Sequence, residues 1–316
     1  MREARGGAGA GAGIRATPER PGAGLGRALG LFGRPPPRGR RDRITLEASD
    51  RAIYAVGDVH GALPLLQRLE ELIVADMDAA SATASGAWTV PGGARPLVVM
   101  LGDLLDRGPF SAPLLDHVRT PHPRFERLCL AGNHEEMALD VIDGRLPLGA
   151  WERAGGGETL RSLGLDAQWL RENRRGTRRR RLAVREAFGA ERIAFLRRMP
   201  VLVRIGRTVL VHGGVRLDTA LEQQSDATLT TLRPPFGDPP RRDVSPGKGA
   251  PGNVASGDVG PKDVASGDVA FVVHGHTPAP EPWCGPHSIG IDTEAWRSGR
   301  LTALRLLRGR SGFLST

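Results

Sequence analysis

RAIYAVGDVHGALPLLQRLEELI, residues 51–73, is the stretch that decides the fold. A short apolar run, Ala52–Val56, ends in the turn GDVHG at 57–61. A segment with helical spacing follows from Leu63 to about Met77, with Leu66, Leu69 and Ile73 on one face. The rhythm returns along the chain. Leu97–Leu101 runs into GDLLDRG at 102–108 and a short helix around Leu114–Val118. Arg127–Ala131 runs into GNHE at 132–135 and a helix through Val141. Thr208–Val211 ends in HGG at 212–214, Ala270–Val273 ends in HGHT at 274–277, and two strands, Ser288–Ile291 and Leu301–Leu307, close the chain. Buried-type strands ending in motif loops indicate an α/β fold. Ligand groups in such folds gather at the carboxyl ends of strands, so the five loops are expected on one rim.

The residue types on that rim point to metal chemistry. Asp58 and His60 lie two apart on one loop and can face one ion. Asp103 ends the next strand, where a carboxylate can bridge two ions, and Asn133, His212 and His276 can complete the second shell. Two metals roughly 3.5–4 Å apart acidify a bridging water and stabilise both oxygens of an in-line displacement at phosphorus. Arg107 can hold phosphate oxygens bidentately. His134, beside a proposed ligand, can protonate a leaving alkoxide, oriented by Asp106. Each motif alone is an ordinary turn. Five of the chain's eight histidines fall inside them, each after an apolar run, which makes coincidence a poor explanation.

Composition narrows the alternatives. The net charge of +9 resembles a nucleic-acid signal, but residues 1–41 hold nine arginines against two glutamates and carry +7 of it. That argues against nucleic-acid binding by the core. Residues 1–44 are Gly/Ala/Pro/Arg-rich without periodicity and are expected to be a disordered tail, with the catalytic domain over 45–316. The stretches 79–95 and 237–269, the latter containing VASGDV twice, are expected to be loop insertions, and the arginine-rich run 171–181 a solvated helix end or loop. Two cysteines, Cys129 and Cys284, make no disulfide framework, which suits a reducing, cytoplasmic setting. No run approaches the ~20 apolar residues of a membrane span. Oligomeric state is not legible.

With these residues in hand, the chain resembles the PPP-type serine/threonine phosphatases, within the calcineurin-like metallophosphoesterase superfamily. GDVHG, GDLLDRGP, GNHE, HGG and GHTP occur in the family's order. The bacterial branch is the nearer: WERAGGGETLRSLG at 151–164 resembles its W…GG…TL segment, and IDTEAWRSGRLTALRL at 291–306 its closing motif. The resemblance, from about Tyr54 to Leu307, implies a β-sandwich of two mixed sheets flanked by helices, with a dinuclear site at the strand ends. It implies Asp58, His60 and Asp103 on the first metal, and Asp103, Asn133, His212 and His276 on the second, the histidine before Thr-Pro being the ligand rather than His274. It assigns His134 and Asp106 as the acid pair. It assigns Arg107, Arg233 (in LTTLRPPF, 229–236) and Asn133 to the substrate phosphate.

The expected activity is dephosphorylation of phosphoserine or phosphothreonine in proteins by direct attack of a metal-bridging hydroxide, with two divalent ions, Mn or else Fe or Zn. The alternative is hydrolysis of a dinucleotide polyphosphate such as diadenosine tetraphosphate, whose enzymes share these motifs. A remote third is a non-catalytic binding module. Three departures stand out: Glu294 replaces the glycine of the closing motif, Arg216-Leu217-Asp218 replaces Arg-Pro-Gly, and the eukaryotic Ser-Ala-Pro-Asn-Tyr-Cys loop is missing.

Overall fold

Short apolar runs build two sheets whose inner strands are buried on both faces and whose edge strands are only partly covered. The computed structural model describes residues 39–47, 51–83, 95–165, 168, 172, 176–216, 218–233, 269, 271–307 and 310–316. In the first sheet β2 (Ile53–Val56), β3 (Leu97–Met100) and β4 (Glu126–Cys129) run parallel. Beside β2 lie β10 (Thr302–Leu307), antiparallel to it, and β11 (Arg310–Ser315), giving the order β11-β10-β2-β3-β4. The second sheet contains β1 (Arg43–Leu46), β5 (Leu202–Ile205), β6 (Thr208–Val211), β7 (Phe271–His274), β8 (Trp283–Cys284) and β9 (Ser288–Gly290), in the order β1-β5-β6-β7-β9-β8. Here β6, β7 and β9 are parallel, while β5 and β6 form a hairpin through Gly206 and Arg207. Gly206 sits at φ 58°, which a two-residue hairpin turn favours.

Period-two alternation decides which face meets what. Ile53, Ala55, Leu97 and Val99 point toward Leu210, Phe271, Val273 and Ile289 and form the core between the sheets. The opposite face of the first sheet, including Tyr54, Val56, Val98 and Met100, packs on helices. Those helices include α1 (Leu63–Thr83), α2 (Ser111–Arg119) and α3 (Asn133–Asp143). Leu66, Leu69 and Ile73, the expected face of α1, are all fully buried there. The outer face of the second sheet, with Val209, Val211 and Val272, is covered by Leu221 and Leu229. The result is the expected sandwich of two mixed sheets flanked by helices.

The remaining helices are α4 (Leu148–Trp151), α5 (Gly157–Ser162), α6 (Thr177–Arg198), α7 (Asp226–Thr231) and α8 (Ala295–Ser298). A π-helical turn, Glu152–Gly156, joins α4 to α5. Helix α1 continues past Met77, through part of the expected insertion at 79–95, because Asp78-Ala79-Ala80 contains no breaker and alanine favours helix. Residues 84–94 of that insertion, 237–268 of the other, and residues 1–38 lie outside the described residues. The arginine-rich run enters α6, where Arg180 faces Glu152 at 3.5 Å. Cys129 is buried, Cys284 is half-buried, and both are free thiols. Among the described residues no helix is long and apolar enough to cross a membrane.

Two tail arginines make structural contacts. Arg41 is only 8% exposed. It donates to the carbonyls of Leu196 (2.9 Å) and Met199 (2.7 Å) and pairs with Glu136 on α3. Arg40 donates to the carbonyl of Gln224 at 3.0 Å. Ordinary charged surface arginines contribute little, but a buried one that satisfies carbonyls leaves them orphaned when removed. Arg41→Ala should therefore cost about 3 kcal/mol in urea unfolding; a change below about 0.5 kcal/mol would show that the segment before β1 is not part of the stable fold.

Candidate active site

Five loops leave the carboxyl ends of β2, β3, β4, β6 and β7 and meet where the two sheets open. The contacts between them fix the convergence. The backbone N–H of His276 donates to both Asp58 oxygens at 3.2 Å. His212 Nε2 lies 3.0 Å from Asn133 Oδ1 and 3.3 Å from Asp103 Oδ2. Asp103 Oδ2 also faces His60 Nε2 at 3.5 Å and His134 Nε2 at 3.8 Å. One carboxylate oxygen thus sits among three imidazoles.

The backbone is forced into unusual shapes to achieve this. Among the described residues the non-glycine positions with positive φ are His60, Asp103, Asp106, Arg107, His276 and Glu294. The first five are residues assigned to the site from sequence. Each such conformation costs about 1–3 kcal/mol and persists only where surrounding structure over-determines it. Gly132 shows how tight the packing is, since a Cβ there would lie 2.2 Å from Asp103 Oδ1.

Electrostatics divides the groups. Burial, then the charges of Asp292 and Asp103, hold the Asp58 carboxyl well above the usual range. Burial would also raise Asp103, but the charges of His212 and His134 and the His212 hydrogen bond hold it well below. Burial pushes His60 down to about 3. His276 falls to about 4 through burial and the neighbouring His212. His134 goes the other way: burial opposes its charge, yet Asp103 and the Asp106 hydrogen bond raise it to about 9.

The donor set fits divalent cations. His60 donates its Nδ1 proton to the Leu105 carbonyl at 2.6 Å, which leaves Nε2 bare and pointing at Asp103. His60 Nε2 and His212 Nδ1 are buried atoms without a hydrogen-bond partner. Two groups of ligand atoms share Asp103: His60, Asp103 and His134, and Asp103, His212 and His276. Asp58 Oδ1 lies 3.8 Å from His212 Nδ1, at the edge of the second group. In the first group His134 has its nitrogens engaged elsewhere, Nδ1 at 2.6 Å from Asp106 and Nε2 at 3.2 Å from Arg107. Arg233 reaches the other group, its Nε donating to His276 Nε2 at 3.3 Å. His274 is buried on β7, 6.2 Å from the Trp283 ring, and falls in neither group.

Several residues were not given roles by sequence reasoning. Glu135, fully buried, accepts from the backbone N–H groups of Gly132 (2.8 Å), Asp103 (2.9 Å), Leu104 (2.8 Å) and Leu105 (3.2 Å). Its position as the third helical residue of α3 is a capping-box signal. Asp106 is held by Trp151 Nε1 at 2.7 Å and Thr159 Oγ1 at 2.6 Å. Both come from the 151–164 segment noticed only as a resemblance. Asp292, buried beside Asp58, had no role assigned. The π-helical turn brings the Gly155 carbonyl to the Arg107 N–H at 3.1 Å.

Comparison with known proteins agrees with this geometry. The family model described as calcineurin-like phosphoesterase matches residues 52–280. The asymmetrical bis(5'-nucleosyl)-tetraphosphatase PrpE of Bacillus thuringiensis (strain Al Hakam) is 26% identical over 254 residues, covering 79% of this chain and 88% of that protein. A solved structure of a candidate diadenosine tetraphosphatase superposes with a TM-score of 0.52 at 19% identity, over 87% of this chain and 97% of that one. A point mutant of a cold-active protein tyrosine phosphatase gives 0.50 at 15% identity, over 86% and 80%. At these identities both structures share the fold.

A ligating Asp58 must be ionised, and burial with the charges of Asp292 and Asp103 favours its protonated form, so metal affinity should weaken as pH falls. Mn²⁺ at a hundred times its Kd should stabilise the stripped protein by about 2.7 kcal/mol at neutral pH. Calorimetric melting checks this: the gain should shrink at acidic pH and largely vanish in Asp103→Asn.

Proposed function

The chain belongs to the calcineurin-like phosphoesterase family, and from that premise we propose that it hydrolyses the phosphate chain of a dinucleoside polyphosphate, using two divalent ions, Mn²⁺ among the candidates. The carrying observation is the pair Arg107 and His134. Their Nη2 and Nε2 atoms lie 3.2 Å apart, and His134 is held protonated near neutrality. Together they offer a guanidinium and an imidazolium N–H to an anionic acceptor, in a part of the site where Nε2 otherwise meets Arg107 at 3.2 Å and Asp103 Oδ2 at 3.8 Å. A phosphoryl oxygen supplies that acceptor. The likeness to PrpE, an asymmetrical bis(5'-nucleosyl)-tetraphosphatase, supports the nucleotide over other phosphoesters.

Bound cations would supply an acidified water and neutralise developing charge on the phosphoryl oxygens. We assign their ligands as Asp58, His60, Asp103, Asn133, His212 and His276. The chain's other side chains do the remaining work. Arg107 and Arg233, one beside each ligand group, bind phosphate oxygens, and Asn133 faces the same space. His134 gives its proton to the leaving oxygen. Asp106 holds the Nδ1 proton and so keeps Nε2 aimed at the substrate, while Trp151 and Thr159 fix Asp106.

Phosphoserine or phosphothreonine in proteins is the second reading. Arg233, exposed at the edge of the site within LTTLRPPF, favours it. The two readings differ in their demand for acid. A departing alkoxide needs a proton at neutral pH, whereas a departing nucleotide phosphate, with a pKa of about 6, leaves readily without one. His134→Asn should lower turnover about 10²–10⁴-fold on a phosphoserine peptide. On diadenosine tetraphosphate the loss should be about tenfold or less. Turnover of both substrates by one Mn²⁺-loaded preparation decides between them. A higher kcat/KM for the peptide overturns the dinucleotide reading, and chromatography of the products separates AMP plus ATP from two ADP.

The acid must carry its proton to act, so kcat on the peptide should fall as pH rises through the His134 pKa. That pKa is about 9 for the protein alone, and bound cations lower it. A pH–rate profile whose basic limb survives in His134→Asn would rule His134 out as the acid.

A further inference from the structure

Three large apolar side chains are exposed among the described residues: Phe110, Leu182 and Trp296. Trp296 is 40% exposed, and the Arg107 guanidinium carbon lies 5.9 Å from its ring centroid. Arg107 therefore touches His134 on one side and lies beside the open indole of Trp296.

The turn that carries Trp296 is built to hold it still. Glu294 sits in the left-handed region (φ 51°, ψ 49°), a conformation that disfavours a residue with a Cβ. It is kept there by donating its N–H to Asp292 Oδ1 at 2.9 Å. Ser298 Oγ donates to the Thr293 carbonyl at 2.6 Å, and Thr293 Oγ1 donates to the Arg300 carbonyl at 2.8 Å. Arg300 in turn pairs with Glu281 at 2.8 Å. Asp292 is buried against the site carboxylates, so the turn is anchored to the site itself. Isolated exposed apolar residues are common and need no explanation. A tryptophan carried on a hydrogen-bonded turn beside Arg107 is a different case, because the backbone that bears the ring is already ordered when a ligand covers it.

We propose that Trp296 is a stacking platform for the nucleobase of a nucleotide whose phosphate is held by Arg107. This rests on the dinucleotide reading above and adds the recognition element that reading lacks. A phosphate on Arg107 carries its base, one sugar ring away, within reach of the indole. Flat π-faces stack on tryptophan with little dependence on base identity, so the platform selects nucleotides over other phosphoesters and discriminates weakly among bases.

The test is calorimetric binding of AMP and ribose 5-phosphate to the Mn²⁺-loaded protein. Both ligands present the same phosphate, and only AMP carries a base. AMP should bind about tenfold more tightly to the unaltered protein. In Trp296→Ala the two affinities should converge, and Trp296→Phe should restore most of the difference. A role confined to positioning Arg107 would weaken both ligands equally and leave the ratio intact. Equal affinities in the unaltered protein, an unchanged ratio in Trp296→Ala, or no binding of AMP would each overturn the platform. The two ideas fail separately: an AMP preference without diadenosine tetraphosphate turnover removes the substrate reading and keeps the platform, whereas turnover with an unaltered ratio in Trp296→Ala does the reverse.

Discussion

Glu135 is the residue on which the site depends. Its carboxylate is fully buried and accepts four backbone N–H bonds, one from its own turn and three from the loop after β3. A carboxylate taken out of water is costly unless its oxygens are satisfied, and here the backbone satisfies them. The same bonds lock the 102–108 loop onto the start of α3. That lock holds Asp103 at φ 48°, among the imidazoles of His60, His134 and His212. Burial and the adjacent Asp103 raise the Glu135 pKa, so the clamp works against electrostatic crowding that divalent cations would relieve.

The strain concentrated in these loops and the crowding of Asp58, Asp103 and Asp292 have a common origin. Ligand atoms must be brought closer than their charges and backbones prefer. The two sheets absorb the cost. The central parallel strands, β2, β3 and β7, are buried on both faces and deliver their loops to one edge with little freedom to relax. From the helical side, the 151–164 segment fixes Asp106 through Trp151 and Thr159, and its π-helical turn fixes the Arg107 backbone through the Gly155 carbonyl. His134 and Arg107 are thus oriented by a segment that contributes no proposed metal ligand.

Much of this was legible in the chain because the motifs are local. Two residues on one turn, such as Asp58 and His60, have their relation set by a few bonds, and an apolar run before a glycine-rich turn marks a strand end wherever it occurs. The helical face of Leu66, Leu69 and Ile73 was legible for the same reason. Strands β1, β5 and β11 were not. Ile44 meets its strand partner Val203 from far away in sequence, and Val203 and Phe313, although paired in local hairpins, join a core completed by residues of the facing sheet. The extent of α1 was missed because the small residues of 78–82 suit both a loop and a helix end.

By itself the sequence determined the class of fold, the donor types and the chemistry at phosphorus, since these follow from spacing within short segments. Only the tertiary structure decided how the donors meet. It gathered three imidazoles around Asp103 Oδ2 and brought Asp58 Oδ1 to 3.8 Å from His212 Nδ1. It raised His134 through Asp103 and Asp106, both brought from the loop after β3. It also placed Trp296 beside Arg107, although 189 positions separate them in the sequence. Burial and charge–charge distance are properties of the packed sheets and loops together, and no stretch of chain encodes them alone.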